Sequence, residues 1–95
     1  MNLEAVIYKY RLEFGPNTIL VPADAKLLHF GIQGSSVFVW FEIESAEGLD
    51  ERVFEIKGTG IPFDRAGLAY RKTLVFPWGV HPNSWHIYER INGTP

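Results

Sequence analysis

Val6, Tyr8, Tyr10, Leu12 and Phe14 share one parity near the start of the chain, and Ile7, Lys9, Arg11 and Glu13 share the other. A period of two marks a β-strand with one dry and one wetter face. It predicts a first strand over 5–14. Gly15-Pro16-Asn17 reads as a turn, because Gly and Asn tolerate unusual backbone angles and Pro presets one. A short strand over 18–21 follows, stopped by Pro22, which has no N–H for a central ladder. Ala23-Asp24-Ala25 makes a corner, and two strands over 26–32 and 37–44 flank Gln33-Gly34-Ser35-Ser36, a hairpin signal. Val37-Phe38-Val39-Trp40-Phe41 is apolar at both parities, so this strand is either covered on both faces or displays an aromatic one.

Residues 45–51 are acidic and loop-like, with room for a helical turn around Leu49. A strand over 52–57 places Phe54 and Ile56 on one parity. Gly58-Thr59-Gly60-Ile61-Pro62 breaks it, and irregular chain runs on to Gly67. Strands over 69–76 and 84–90 are separated by a Pro- and aromatic-containing turn. In the last strand Trp85, Ile87 and Glu89 oppose His86, Tyr88 and Arg90. About seven short strands at roughly 8–12-residue spacing, without a helical stripe longer than one turn, predict an all-β fold. The expected architecture is a small antiparallel β-sandwich or barrel. No repeat or linker divides the chain, so residues 1–95 are expected to form a single β domain.

Charge and composition narrow the function classes. Nine basic and eleven acidic residues give a net charge of −2, which argues against non-specific nucleic-acid binding, though not against a local basic patch. The same balance disfavours a membrane-surface helix, and no apolar run is long enough to span a bilayer. The absence of cysteine removes disulfides, thiolate metal sites and a cysteine nucleophile. Met1-Asn2-Leu3-Glu4 shows no signal-peptide pattern, so the expected location is cytoplasmic. Aromatic residues make up 15% of the chain, enough to close a small core and leave rings for an interface.

Several motifs together resemble a short domain of unknown function found in phage and bacterial genomes. They are Ile7-Tyr8-Lys9-Tyr10-x-Leu12, Thr18-Ile19-x-Val21-Pro22-Ala23-x-Ala25-x-Leu27-Leu28, Val39-Trp40, Arg52-x-Phe54-x-Ile56-x-Gly58-Thr59-Gly60-x-Pro62 and Trp85-His86-Ile87-Tyr88-Glu89. Gly-Thr-Gly-x-Pro and Trp-His are the distinctive pieces. The segment 78–83 is longer here than the usual link before Trp-His, so a role residing in that turn does not carry over. The resemblance implies provenance, a small phage-type protein acting inside a bacterial cell (the host cytoplasm if phage-encoded), and brings no catalytic assignment.

The residues themselves offer little chemistry. Gly58-Thr59-Gly60 could present backbone N–H groups to an anion, but it lacks the third glycine of a dinucleotide fingerprint and the lysine of a P-loop. The plainer reading is two glycines supplying positive φ at a strand exit. His29, His81 and His86 have no recognised metal-ligand spacing, even with Asp64 or Glu89; His29 and His86 are expected to cover a core edge and bond locally, and His81 sits in a turn. A metal-assisted hydrolase on these histidines is the least favoured reading. Ser84 lies too close to His86 along one strand for a nucleophile and its base, and Glu42 with Glu44 reads as a solvated face. No catalytic residue, metal or cofactor is expected.

What remains is recognition. Trp40, Trp78 and Trp85, beside Arg52 and Gly58-Thr59-Gly60, are the candidate binding residues. Displayed rings near Arg52, Arg65 or Arg71 would stack on a base or anchor a partner. The expected function is a non-enzymatic binding protein that engages a host component, either a defence protein or its small nucleotide signal. Self-association into a homo-oligomer is expected from long β edges. The alternative is a structural or assembly module, for example in a phage particle.

Overall fold

The computed structural model describes residues 4–44, 48–77 and 84–91. The described residues contain seven strands: β1 (Val6–Leu12), β2 (Gly15–Pro22), β3 (Lys26–Gln33), β4 (Ser36–Ile43), β5 (Leu49–Gly58), β6 (Leu68–Val75) and β7 (Ser84–Arg90). They form two antiparallel sheets, a three-stranded one in the order β1-β4-β3 and a four-stranded one in the order β2-β5-β7-β6. The fold is therefore all-β and sandwich-like, as the alternating pattern predicts.

The doubly apolar strand resolves into one dry and one half-exposed face. Val37, Val39, Phe41 and Ile43 of β4 point into the core, while Phe38 and Trp40 lie on the outer surface, half-buried. Leu12 and Phe30 complete the core from the three-stranded side. Ile19, Val21, Phe54, Ile56, Phe76 and Ile87 complete it from the other. Phe54 sits at the centre, its ring 5.5 Å from Phe30 and 6.3 Å from Phe41. Each such buried ring contributes about 1.5–3 kcal/mol relative to exposure. The dry parity of β1 holds from Tyr10 onward, whereas Val6 and Tyr8 stay exposed at the far half of an edge strand.

Two local expectations change. Gly15-Pro16-Asn17 is not a turn outside the strands but the start of β2, paired with Ile56, Glu55 and Phe54. Gly15 at φ 94° carries the chain from one sheet to the other. The Asn17 amide then ties the crossing by donating to the carbonyls of Glu13 and Phe54 and accepting from the Glu13 N–H. Pro16 is tolerated because β2 is an edge strand, where a missing donor costs no ladder bond. Leu49, expected near a helical turn, instead opens β5 opposite Pro22. Residues 45–47 lie outside the described segment. The β3–β4 hairpin is as expected, with Gln33 paired to Ser36 and Gly34 at φ 64°.

Candidate functional site

Antiparallel pairing of β5 with β7 sets Gly58 opposite Trp85 and Lys57 opposite His86. The two distinctive motifs, far apart in sequence, thus meet at one end of the four-stranded sheet. Gly58 remains in the extended ladder. Gly60, at φ 84°, turns the chain so that Ile61, Pro62 and Phe63 fold over the sheet's outer face. The Ile61 N–H donates to the Gly58 carbonyl at 3.3 Å. An open groove of about 440 Å³ results, lined by residues 58–63 together with His86 and Tyr88. Its aromatic wall is Phe63 against Tyr88, centroids 5.0 Å apart, with Tyr70 edge-on to Tyr88 at 5.6 Å.

His86 is the polar centre of this groove. Its Nε2 lies 2.7 Å from Thr59 Oγ1 and its Nδ1 lies 2.9 Å from Thr73 Oγ1. Thr73 Oγ1 lies in turn 2.6 Å from the Tyr70 hydroxyl. A neutral imidazole has one donor and one acceptor nitrogen, so this chain has two self-consistent settings. With Tyr70 donating to Thr73 and Thr73 to Nδ1, Nε2–H donates to Thr59, whose hydroxyl proton is left for a ligand. Reversed, Thr59 donates to Nε2 and offers a lone pair instead. The site can therefore meet a hydrogen-bond acceptor or a donor without leaving a member of the chain unsatisfied. Thr59 with His86 also has the order of a nucleophile and its base. The third member, however, is a hydroxyl where a carboxylate would stabilise an imidazolium.

Charge around the groove is already matched. Glu55 accepts from Lys57 at 3.0 Å and from Arg90 at 2.6 Å. Lys57 also lies over the Phe63 ring, 5.2 Å from its centroid. Burial pushes the Glu55 carboxyl up, but hydrogen bonds from Lys57 and Arg90 and then their charges outweigh it and hold the group below its ordinary value.

Arg52 belongs to a different neighbourhood. On the inner face it grips Glu89 with two bonds, Nε to Oε2 at 2.7 Å and Nη2 to Oε1 at 2.8 Å, and lies over the rings of Phe41 and Phe54. Arg71, displaced by the irregularity in the β6–β7 register, adds a bond to Glu89 at 3.0 Å. Burial again pushes the Glu89 carboxyl up, and Arg52 followed by Arg71 more than compensates, so the group is held below its usual range. Sequence carried a trace of this cluster: Arg52 and Glu89 occupy the parities of Phe54–Ile56 and Trp85–Ile87, and opposite charges at core-facing positions of two strands invite pairing.

The candidate residues therefore divide. Gly58, Thr59 and Gly60 meet in the groove, joined by His86, for which the strand pattern predicts only local bonding. Arg52 is held by Glu89. Trp85 faces inward from β7 and packs edge-on against Phe14 and Phe76, its indole N–H buried without a partner. Trp40 lies on the outer face of the other sheet beside Phe38 and His29. Trp78 and His81 lie outside the described residues. Arg65 is exposed in the loop that follows the groove-lining residues. Among the described residues no three metal-ligating side chains converge, and no helix is long and apolar enough to cross a membrane.

No curated protein and no solved structure matches the chain. A family profile matches residues 3–95, almost the whole length, and the chain belongs to that family, a domain of unknown function designated DUF7352.

Proposed function

We propose that this chain is a non-catalytic binding module whose ligand site is the groove at the end of β5. The observation that carries the reading is the convergence of Gly58-Thr59-Gly60 and His86 on an open groove with an aromatic wall and a fully bonded hydroxyl–imidazole chain. The volume falls in the range of small-ligand sites. A ring stacked on Tyr88 or Phe63 and a polar group on Thr59 describe the base or sugar of a nucleotide. This fits the expected mode of action, a phage-type protein that occupies a host component, here a nucleotide signal in preference to a defence protein. Location in the host cytoplasm is part of the same proposal.

The test is calorimetric titration of the protein with a panel of nucleoside monophosphates and cyclic dinucleotides. One of them gives saturable heat. Thr59→Val, which keeps the shape but removes the hydroxyl, weakens it roughly ten-fold, the scale of one lost hydrogen bond to a buried ligand. Absence of saturable heat across the panel overturns the nucleotide reading. Turnover of an ester or phosphoester that disappears in His86→Ala overturns the non-catalytic one.

A second reading, self-assembly, is favoured by the β6 edge, where Val75 is 61% and Tyr70 55% exposed. Light scattering that finds a closed, high-order particle would select it over a free binding module.

A further inference from the structure

We propose that the groove continues into a second subsite, an apolar socket beside it that takes a benzene-sized, uncharged group of the ligand. The inference rests on the reading of the groove as a ligand site and adds the chemistry of a second part of that ligand.

The socket exists because two neighbouring strands begin at different points. β2 pairs with β5 only from Gly15, opposite Ile56, so Lys57 and Gly58 run on past it. On their other side they stay paired, to His86 and Trp85 of β7. The β1–β2 crossing does not fill the corner so left, since a Cβ on Gly15 would meet no atom within 4 Å. Ile61-Pro62-Phe63, turned back by Gly60 and pinned by the Ile61 N–H on the Gly58 carbonyl, closes over it instead. A cavity of about 140 Å³ remains, bounded by that segment together with Phe14, Gly15 and Ile56. The same segment, with Gly58, also lines the groove, so the two spaces adjoin.

Size and lining select the occupant. An apolar cavity of about 150 Å³ is enough to hold benzene. Phe14, Ile56, Ile61, Pro62 and Phe63 supply most of the wall. The one charged lining residue, Lys57, has its ammonium on Glu55 at 3.0 Å and over the Phe63 ring. No lining side chain therefore has an unoccupied polar group, and a strongly polar guest would give up water without a replacement bond. Phe14, Ile61 and Phe63 are themselves exposed, so an apolar guest covers carbon that water now touches. The groove differs, because Thr59 and His86 give it a hydrogen-bonding centre. A ligand that spans both has a polar end and an apolar end.

The experiment follows amide resonances of the full chain by NMR while benzene, and separately pyrimidine, is added. The two molecules share a shape, and only pyrimidine has ring nitrogens to hydrate. Gly15, Ile56 and Lys57 line the socket and not the groove, so their amides report on it alone. Benzene moves these amides saturably. Pyrimidine moves them only at roughly ten-fold higher concentration, the scale of a polar group desolvated without a partner. Phe14→Ala removes a wall that the groove does not share and weakens benzene binding roughly ten-fold. Thr59→Val, in the groove, leaves benzene binding as it was.

Failure of benzene to saturate these amides overturns the proposal. So does pyrimidine reaching them as tightly as benzene, a comparison that uses the unaltered chain and decides the matter even if Phe14→Ala unfolds. Unchanged benzene affinity in a folded Phe14→Ala variant has the same force. A dimer that benzene dissociates assigns the socket to an apolar side chain of a second copy instead. A silent nucleotide panel with benzene bound strikes the groove reading alone, and the reverse strikes the socket alone.

Discussion

The two sheets use similar side chains to opposite ends. On the four-stranded sheet, cations and carboxylates find one another: Arg52 and Arg71 hold Glu89, and Lys57 and Arg90 hold Glu55, all at 3.0 Å or less. On the three-stranded sheet, Lys9 lies over the Phe38 ring, Arg11 reaches Glu13 only at 3.9 Å, and Lys26, opposite Glu42, closes no ion pair among the described residues. Composition treats an Arg–aromatic neighbourhood as one signal. The structure separates it into charge held in close ion pairs and charge only loosely matched at the surface. A cation signals recognition only when its own fold has not already supplied the counter-charge.

Three measurements press on that contrast. The largest effect belongs to Glu89→Ala. It strips the counter-charge from Arg52 inside the sandwich and from Arg71 at its edge, and a broken buried pair typically costs about 3–5 kcal/mol. Urea unfolding should show a loss on that scale, and a loss within experimental error would mean that water already reaches Arg52. A smaller effect comes from acid. Glu55 and Glu89 are both held below their ordinary values in the folded protein. Their contribution is therefore fully present above the normal carboxylate range and is lost as pH falls through the lowered folded-state values. Melting temperature should drop over that acid window, and Glu55→Gln should flatten the drop while lowering stability at neutral pH. An unaltered pH profile in that variant would remove Glu55 from the acid-sensitive set. The smallest effect is expected on the open sheet, where Lys9→Gln and Lys26→Gln should each shift stability by no more than about 0.5 kcal/mol. A larger destabilisation would show that those cations hold the fold together after all.

The strand pattern of this chain was readable because alternation is a local property. Val37, Val39 and Phe41 against Phe38 and Trp40 declare two faces whatever the strand pairs with, and Gly34 announces its hairpin. The inner assignment of Trp85 was also latent in its parity with Ile87. The β2 start was not legible, since Gly15-Pro16-Asn17 has turn chemistry and becomes strand only because Ile56, Glu55 and Phe54 lie alongside. The groove was half legible: Gly58-Thr59-Gly60 stood out, but His86 as its partner did not. Nothing local tells which residue of another strand will face Thr59.

Sequence alone determined the class of fold, because side-chain alternation is imposed by backbone geometry within each strand. Tertiary structure decided which charges cancel and which remain. Arg52 meets Glu89, and Thr59 meets His86, only through register between distant strands. Lys9, Arg11 and Lys26 come to share one face with Glu13, Glu42 and Glu44 by the same means. Register is fixed by burial of the whole core at once, since a one-residue slip would turn every inner ring to solvent. That collective term has no trace in any single stretch of residues.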